Sequence, residues 1–88
     1  MRFTWDPKKA AANLRKHGVS FAEAETAFAD EHGAYYPDAL HAARFILLGC
    51  SKKPRLRYVV YAEVVADSIR VFSARKATKH EKARYEKD

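Results

Sequence analysis

An α+β domain is what this sequence predicts, and three observations carry that prediction. Two helix starts are written near the N-terminus: Asp6 followed by Pro7, and Ser20 with Glu23 three residues on. Such side chains satisfy the free N–H groups of a first helical turn, and proline fits its first position. From residue 44 to residue 76 the apolar period changes to two, as in strands. A third start, Thr78 with Glu81, follows at once. The expected architecture is a short N-terminal strand, two antiparallel helices packed on a mainly antiparallel sheet, and a C-terminal helix, in a single domain spanning residues 1–88.

Arg2-Phe3-Thr4-Trp5 reads as a short strand with Phe3 and Trp5 on one face. The first helix runs to about residue 17, where Gly18 supplies a left-handed stop. His17, in the last turn, suits the negative end of the helix dipole. The second helix runs from residue 21 to about 29, with Phe21, Ala24, Ala27 and Phe28 at helical spacing and facing the core. The short link between the two sets them as an antiparallel pair. Ala34-Tyr35-Tyr36 reads as a strand closed by Pro37-Asp38, and residues 39–43 as a loop or one helical turn. Residues 44–51, 55–65 and 68–75 read as strands, with Lys52-Lys53-Pro54 as a turn.

A two-residue loop at Ala66-Asp67 would set Val65 opposite Ser68, Val64 opposite Ile69, Glu63 opposite Arg70, Ala62 opposite Val71 and Tyr61 opposite Phe72. Leu56, Tyr58, Val60, Ala62, Val64, Ile69 and Val71 then form an apolar face for the helices. Arg57, Val59, Tyr61, Glu63, Arg70, Phe72 and Ala74 form the other. Arginines, a carboxylate and aromatics together suit an anionic, stackable ligand such as RNA. A plain Glu63–Arg70 cross-strand pair, worth roughly 0.2–1 kcal/mol, accounts for the two charges but not for the aromatics beside Arg57.

The chain has 88 residues and a formal net charge of +6. A domain this small buries only roughly 60–65% of its unfolded surface, so a partner that covers surface is expected. Residues 52–88 hold eleven Lys/Arg against five Asp/Glu, while residues 1–51 hold six of each. All of the net charge therefore lies in the second half. That asymmetry points to a polyanion: nucleic acid first, an acidic protein or membrane surface second. The single cysteine, Cys50, excludes an intrachain disulfide and suits a reducing compartment. Its apolar neighbours make it a strand end and not a reactive thiol. Trp5-Asp6-Pro7-Lys8-Lys9 interrupts any signal-peptide pattern, and no apolar run approaches a membrane span. A soluble, cytoplasmic protein is expected. The four histidines lie far apart, so neither a zinc site nor any other metal or cofactor is expected.

The densest chemistry lies between residues 69 and 86. Arg75 and Lys76 sit just ahead of the helix that Thr78 opens. Two cations, a hydroxyl and a helix N-terminus make a phosphate site. The plainer alternative is a strand-to-helix junction with solvated basic residues, in which Thr78 is a cap and nothing more.

The run from Phe3-Thr4-Trp5-Asp6-Pro7 to Lys16-His17-Gly18-Val19-Ser20-Phe21 resembles the N-terminal signature of the BrnT family of type II toxins. His41 and Arg44-Phe45 resemble its middle motif, although Ala42-Ala43 replace the usual acidic segment. Ile69 to Thr78, followed by Glu81 and Arg84-Tyr85-Glu86, resembles its C-terminal signature. The resemblance implies a RelE-like ribonuclease fold, with helices on one side of the sheet and RNA handled on the other. It implies metal-independent cleavage, the ribose 2′-OH attacking the adjacent phosphorus. It also implies a BrnA-type antitoxin with a ribbon-helix-helix DNA-binding domain, a heterotetramer, and contact with operator DNA only through the antitoxin. Roles are carried over to Arg70, Arg75 and Thr78, and to Arg44 and His41.

Such a reaction needs a base for the 2′-OH, cations for the phosphorane charge and an acid for the leaving 5′-oxygen. Arg70 and Arg75 are expected to hold the phosphate, with Thr78 and the helix N-terminus adding donors. Glu63 and His41 are both candidates for the acid–base work. An Arg70 partner would lower the basicity of Glu63, whereas histidine titrates near neutrality. Arg44, Arg57, Tyr61, Phe72 and Lys76 are expected to contact RNA. A non-catalytic nucleic-acid-binding module, or a domain docking an acidic protein, stands as the alternative.

Overall fold

In a computed structural model that describes residues 1–87, the local signals read from the sequence appear as caps and turns. The Asp6 carboxylate accepts from Lys8 N at 2.9 Å, and Pro7 opens α1 (Pro7–His17). Gly18 ends it at φ 69°, its N–H donating to Leu14 O at 2.9 Å. Ser20 Oγ accepts from Glu23 N at 3.0 Å and opens α2 (Phe21–Thr26), which tightens into a 3₁₀ turn at Ala27–Ala29. The second half of that capping box is not made: the Glu23 carboxylate turns inward instead. At the other end, α3 (Lys79–Lys87) starts with a complete box. Thr78 N donates to Glu81 Oε1 at 2.8 Å and Glu81 N to Thr78 Oγ1 at 3.2 Å.

The strands are β1 (Arg2–Thr4), β2 (Ala34–Pro37), β3 (Phe45–Cys50), β4 (Leu56–Val65) and β5 (Ser68–Lys76). They form one sheet in the order β1-β5-β4-β3-β2, antiparallel except for the parallel pairing of β1 with β5. β1 accompanies only the first half of β5. Where it stops, the Asn13 side chain of α1 takes its place, with Nδ2 donating to Ala74 O at 2.8 Å and Oδ1 accepting from Ala74 N at 3.2 Å. Residues 39–43 form turns and no helix, with Ala43 at φ 65°.

The register between β4 and β5 corrects the expected one. Val65 does pair with Ser68, but Glu63 then lies opposite Ile69, Ala62 opposite Arg70 and Tyr61 opposite Val71. One extra residue on β4 (Val64) and a second on β5 (Phe72) break the ladder. Side chains alternate with period two, so each insertion moves all that follows to the other face. The expected faces of β4 are therefore exchanged. Val59 and Tyr61 join Ile69 and Val71 in the core, and Ala74 joins them after the second bulge. These residues pack with Val19, Phe21, Ala24 and Ala27, with Phe3, Trp5 and Phe28 at the margin. Gly49 lets the 3₁₀ turn approach β3, since a Cβ there would stand 3.0 Å from Ala27 O.

Candidate nucleic-acid interface

The sheet face turned away from α1 and α2 is set by alternation. Tyr58 lies directly opposite Arg75, Val60 opposite Ser73, and Tyr36 opposite Ile46. Ile46 and Leu48 are buried on this side, in line with Val60 and Tyr58. Three arginine–aromatic stacks cover the face. The guanidinium of Arg75 lies 3.8 Å from the Tyr58 ring centroid, that of Arg44 4.1 Å from Phe72, and that of Arg84 4.2 Å from Tyr36. Stacking leaves the guanidinium edge free for hydrogen bonds, so each stack orders a cation without consuming its donors.

Arg75 is the most constrained. Its two terminal nitrogens reach Glu81 Oε1 and Oε2, both at 2.9 Å. The same Glu81 caps α3 through Thr78, so one carboxylate ties the β5 end to the helix start. Partial burial raises the Glu81 carboxyl, but the hydrogen bonds from Arg75 and Thr78 outweigh it and hold it below the ordinary range. The Arg75 guanidinium is correspondingly pushed up by its bond to Glu81. Burial raises the phenols of Tyr36 and Tyr58, keeping both protonated as donors near neutrality.

Arg70 shares this face, half-buried and opposite the small Ala62. It lies five residues before Arg75 on one strand, or about 16 Å at the usual rise. The two arginines expected to grip one phosphate are thus set apart along the strand, with the Phe72 bulge between them. Arg44 joins the Arg70 end through Phe72. The turn before it carries His41, whose C=O accepts from Arg44 N at 3.3 Å. His41 Nδ1 lies 3.3 Å from Asp38 Oδ2. A backbone N–H from Leu40, with His41 beside it, keeps the Asp38 carboxyl below its usual value.

Other expected site residues sit elsewhere. Tyr61 is only 5% exposed and packs edge-on against Phe28, with Tyr35 and Phe45 around it. Arg57 is 4% exposed and lies on the helix side of the sheet. Its Nε donates to Glu23 Oε2 at 3.0 Å, and Arg55 and Ser51 bond the same carboxylate. Burial pushes Glu23 up, but these bonds from Arg55, Ser51 and Arg57 prevail and bring it to about 2. Glu63 has no Arg70 partner: it is exposed and borders an aromatic groove with Phe28, Tyr35 and Tyr61. The premise that put Arg57, Tyr61 and Glu63 on the RNA-facing side was the unbroken register, and the bulges remove it. Lys76 is exposed at the end of β5.

Tyr36, Tyr58, Arg84 and Asp38 belong to this face and were not singled out. Tyr58 was assigned to the core by the same register, and nothing in local spacing links Arg84 to Tyr36. Among the described residues, no three His, Cys, Asp or Glu side chains gather as a metal-binding group. No helix among them is long and apolar enough to cross a membrane.

Comparison with known proteins adds an independent observation. Residues 5–81 match the family described as "Ribonuclease toxin, BrnT, of type II toxin-antitoxin system". The chain belongs to the BrnT family. Among solved structures it is similar to the Brucella abortus ribonuclease toxin BrnT, at 26% identity and a TM-score of 0.74. The alignment covers 90% of this chain and 99% of the Brucella one. No curated protein matches. Family membership makes this a ribonuclease toxin fold of a type II system, and turns the arginine-lined face into the first place to look for RNA.

Proposed function

We propose that this chain is an endoribonuclease toxin that cleaves RNA without a metal ion, on the sheet face opposite α1 and α2. The observation carrying the reading is the set of three arginine–aromatic stacks on that face, formed by Arg44, Arg75 and Arg84. Stacked cations offer both a phosphate grip and a flat surface for bases. In this reading the 2′-oxygen attacks phosphorus, the P–O5′ bond breaks, and a 2′,3′-cyclic phosphate and a free 5′-hydroxyl result. Arg70 and Arg44 bind the phosphate that gains charge, and Arg75 with the Thr78-capped helix binds a neighbouring one. His41 is the acid–base residue, oriented by Asp38 as carboxylates orient imidazoles elsewhere. Glu63 has no part in this reading, because it borders the groove of Phe28, Tyr35 and Tyr61 and not the stacks of Arg44 and Arg75. The fold is then of the RelE-like ribonuclease kind, acting in the cytoplasm. A BrnA-type antitoxin neutralises it in a heterotetramer, with operator DNA bound only by the antitoxin.

The test is purified protein on naked RNA in the presence of a chelator. Wild type is expected to give cyclic-phosphate ends, His41→Ala to be slower by roughly 100-fold or more, and Arg70→Ala/Arg75→Ala to be slower still. Cleavage that persists in His41→Ala would remove the imidazole from the mechanism. RNA binding without cleavage by wild type would favour the non-catalytic binding module.

A further inference from the structure

Three clefts adjoin along the free half of the β5 edge. The first, of about 260 Å³, lies between α1 and β5 and is lined by Lys9, Ala12, Lys16, His17 and Phe72. The second, of about 470 Å³, shares Lys16 and His17 and adds Arg75, Lys76 and Thr78. The third, of about 510 Å³, shares Lys76 and adds Arg55, Arg57 and Lys82. Seven Lys/Arg line the three together, of which Arg55 and Arg57 are bonded to Glu23 and Arg75 to Glu81. Among the described residues, Glu86 is the one acidic lining residue. The clefts around Phe28 have the opposite character, with Glu25, Asp30 and Glu63 against Lys52 alone. The charge of the molecule is therefore sorted by edge, and not only by sequence half.

Lys9, Ala12, Asn13 and Lys16 recur at three, four and seven residues, which places them on one stripe of α1. The two lysines stand about 10 Å apart along the helix. Both are exposed, and neither enters an ion pair among the described residues. Between them, Ala12 leaves clearance. Phe72 links the first cleft to the stacked face through Arg44.

We propose that this track carries the single-stranded RNA beyond the cleavage centre, with Lys9 and Lys16 neutralising phosphates outside it; the inference rests on RNA being the substrate. The track turns from a helix face, across a strand end, to a second helix within a molecule measuring 32 × 28 × 25 Å. A single strand follows such a bend. A duplex, stiff over roughly 150 base pairs, does not. The sequence masked the α1 end of this surface because Lys9 and Lys16 belong to a half with no net charge.

The experiment compares wild type with Lys9→Gln/Lys16→Gln, binding a 12-nucleotide and a 4-nucleotide RNA, both 2′-O-methylated, across a salt series. Both substitutions lie on an exposed helix face where glutamine is as good a helix former as lysine, and thermal unfolding checks that the fold is kept. The variant is expected to bind the 12-mer about tenfold more weakly, with a salt slope shallower by about 1.4, the value for two phosphate contacts on a single strand. The 4-mer affinity is expected to be unchanged. An unchanged 12-mer, or equal loss for both lengths, would overturn the track. Equal loss of a duplex or of polyglutamate would assign the lysines to a different polyanion and overturn it too. Failure of wild type to bind either RNA would instead strike the proposed function itself.

Discussion

Two glutamate–arginine clusters stand on opposite faces of the same sheet, and the contrast between them separates holding from handling. Glu23 and Arg57 are both nearly closed off, with side chains 4% and 5% exposed. Glu81 and Arg75 are at 18% and 31%. In sequence the two carboxylates look alike, each three residues after a hydroxyl at a helix start. Glu23 neutralises the buried Arg57, a cation that has nowhere else to go. Glu81 competes with whatever anion approaches Arg75. The lesson is that the same ion pair is a fixture when water is excluded and a latch when it is not.

The sharpest way to break the contrast is Glu23→Ala. It leaves Arg57 buried without a counter-charge and is expected to lose ~3–5 kcal/mol in urea unfolding, a large part of the stability of a small domain. Acid should report the same cluster. Glu23 titrates at about 2 when folded against 4.5 as reference. The unfolded chain therefore takes up the proton first as pH falls. The stabilisation, roughly 3 kcal/mol, is complete above about pH 4.5 and disappears as pH drops toward 2. In Glu23→Gln that acid limb of the stability curve should flatten.

The latch should behave otherwise. Glu81→Gln keeps an acceptor for Thr78 N and releases Arg75, so it is expected to change stability by less than ~1 kcal/mol while tightening single-stranded RNA binding by about three- to tenfold in anisotropy titrations. Equal or weaker RNA binding would make Glu81 a fixture like Glu23. The cap itself can be probed separately. Thr78→Ala should lose ~0.5–2 kcal/mol of thermal stability and Thr78→Ser should keep it, and activity that tracks this pattern would reduce Thr78 to a cap.

Short-range features were legible in the sequence. Asp6-Pro7, Gly18, Ser20 and Thr78–Glu81 act within one helical turn, where few alternatives compete, and the strands were placed to within a residue or so. The faces of β4 were not legible. A bulge at Val64 leaves no mark on composition, because valine is at home on either side of a strand. It exchanged Tyr58 with Tyr61, and with them the core face and the outer face of the strand. Arg57 illustrates the same limit: only the fold reveals that Glu23, thirty-four residues earlier, waits to receive it. Arg70 and Arg75 were correctly placed on the last strand, but only the fold sets Arg70 opposite Ala62 and Arg75 opposite Tyr58.

The closure of β5 by Asn13 and β1 also bears on timing. The last strand of the sheet is bonded by the first residues of the chain, across sixty-one positions in the case of Asn13 and Ala74. During synthesis those early segments have no partner until residues 68–76 have left the ribosome. A contact pattern this non-local holds back the assembled sheet until residues 68–76 are available to it. Fragments that stop short of residues 68–76 therefore lack both the edge that β1 and Asn13 close and the strand that carries Arg70 and Arg75.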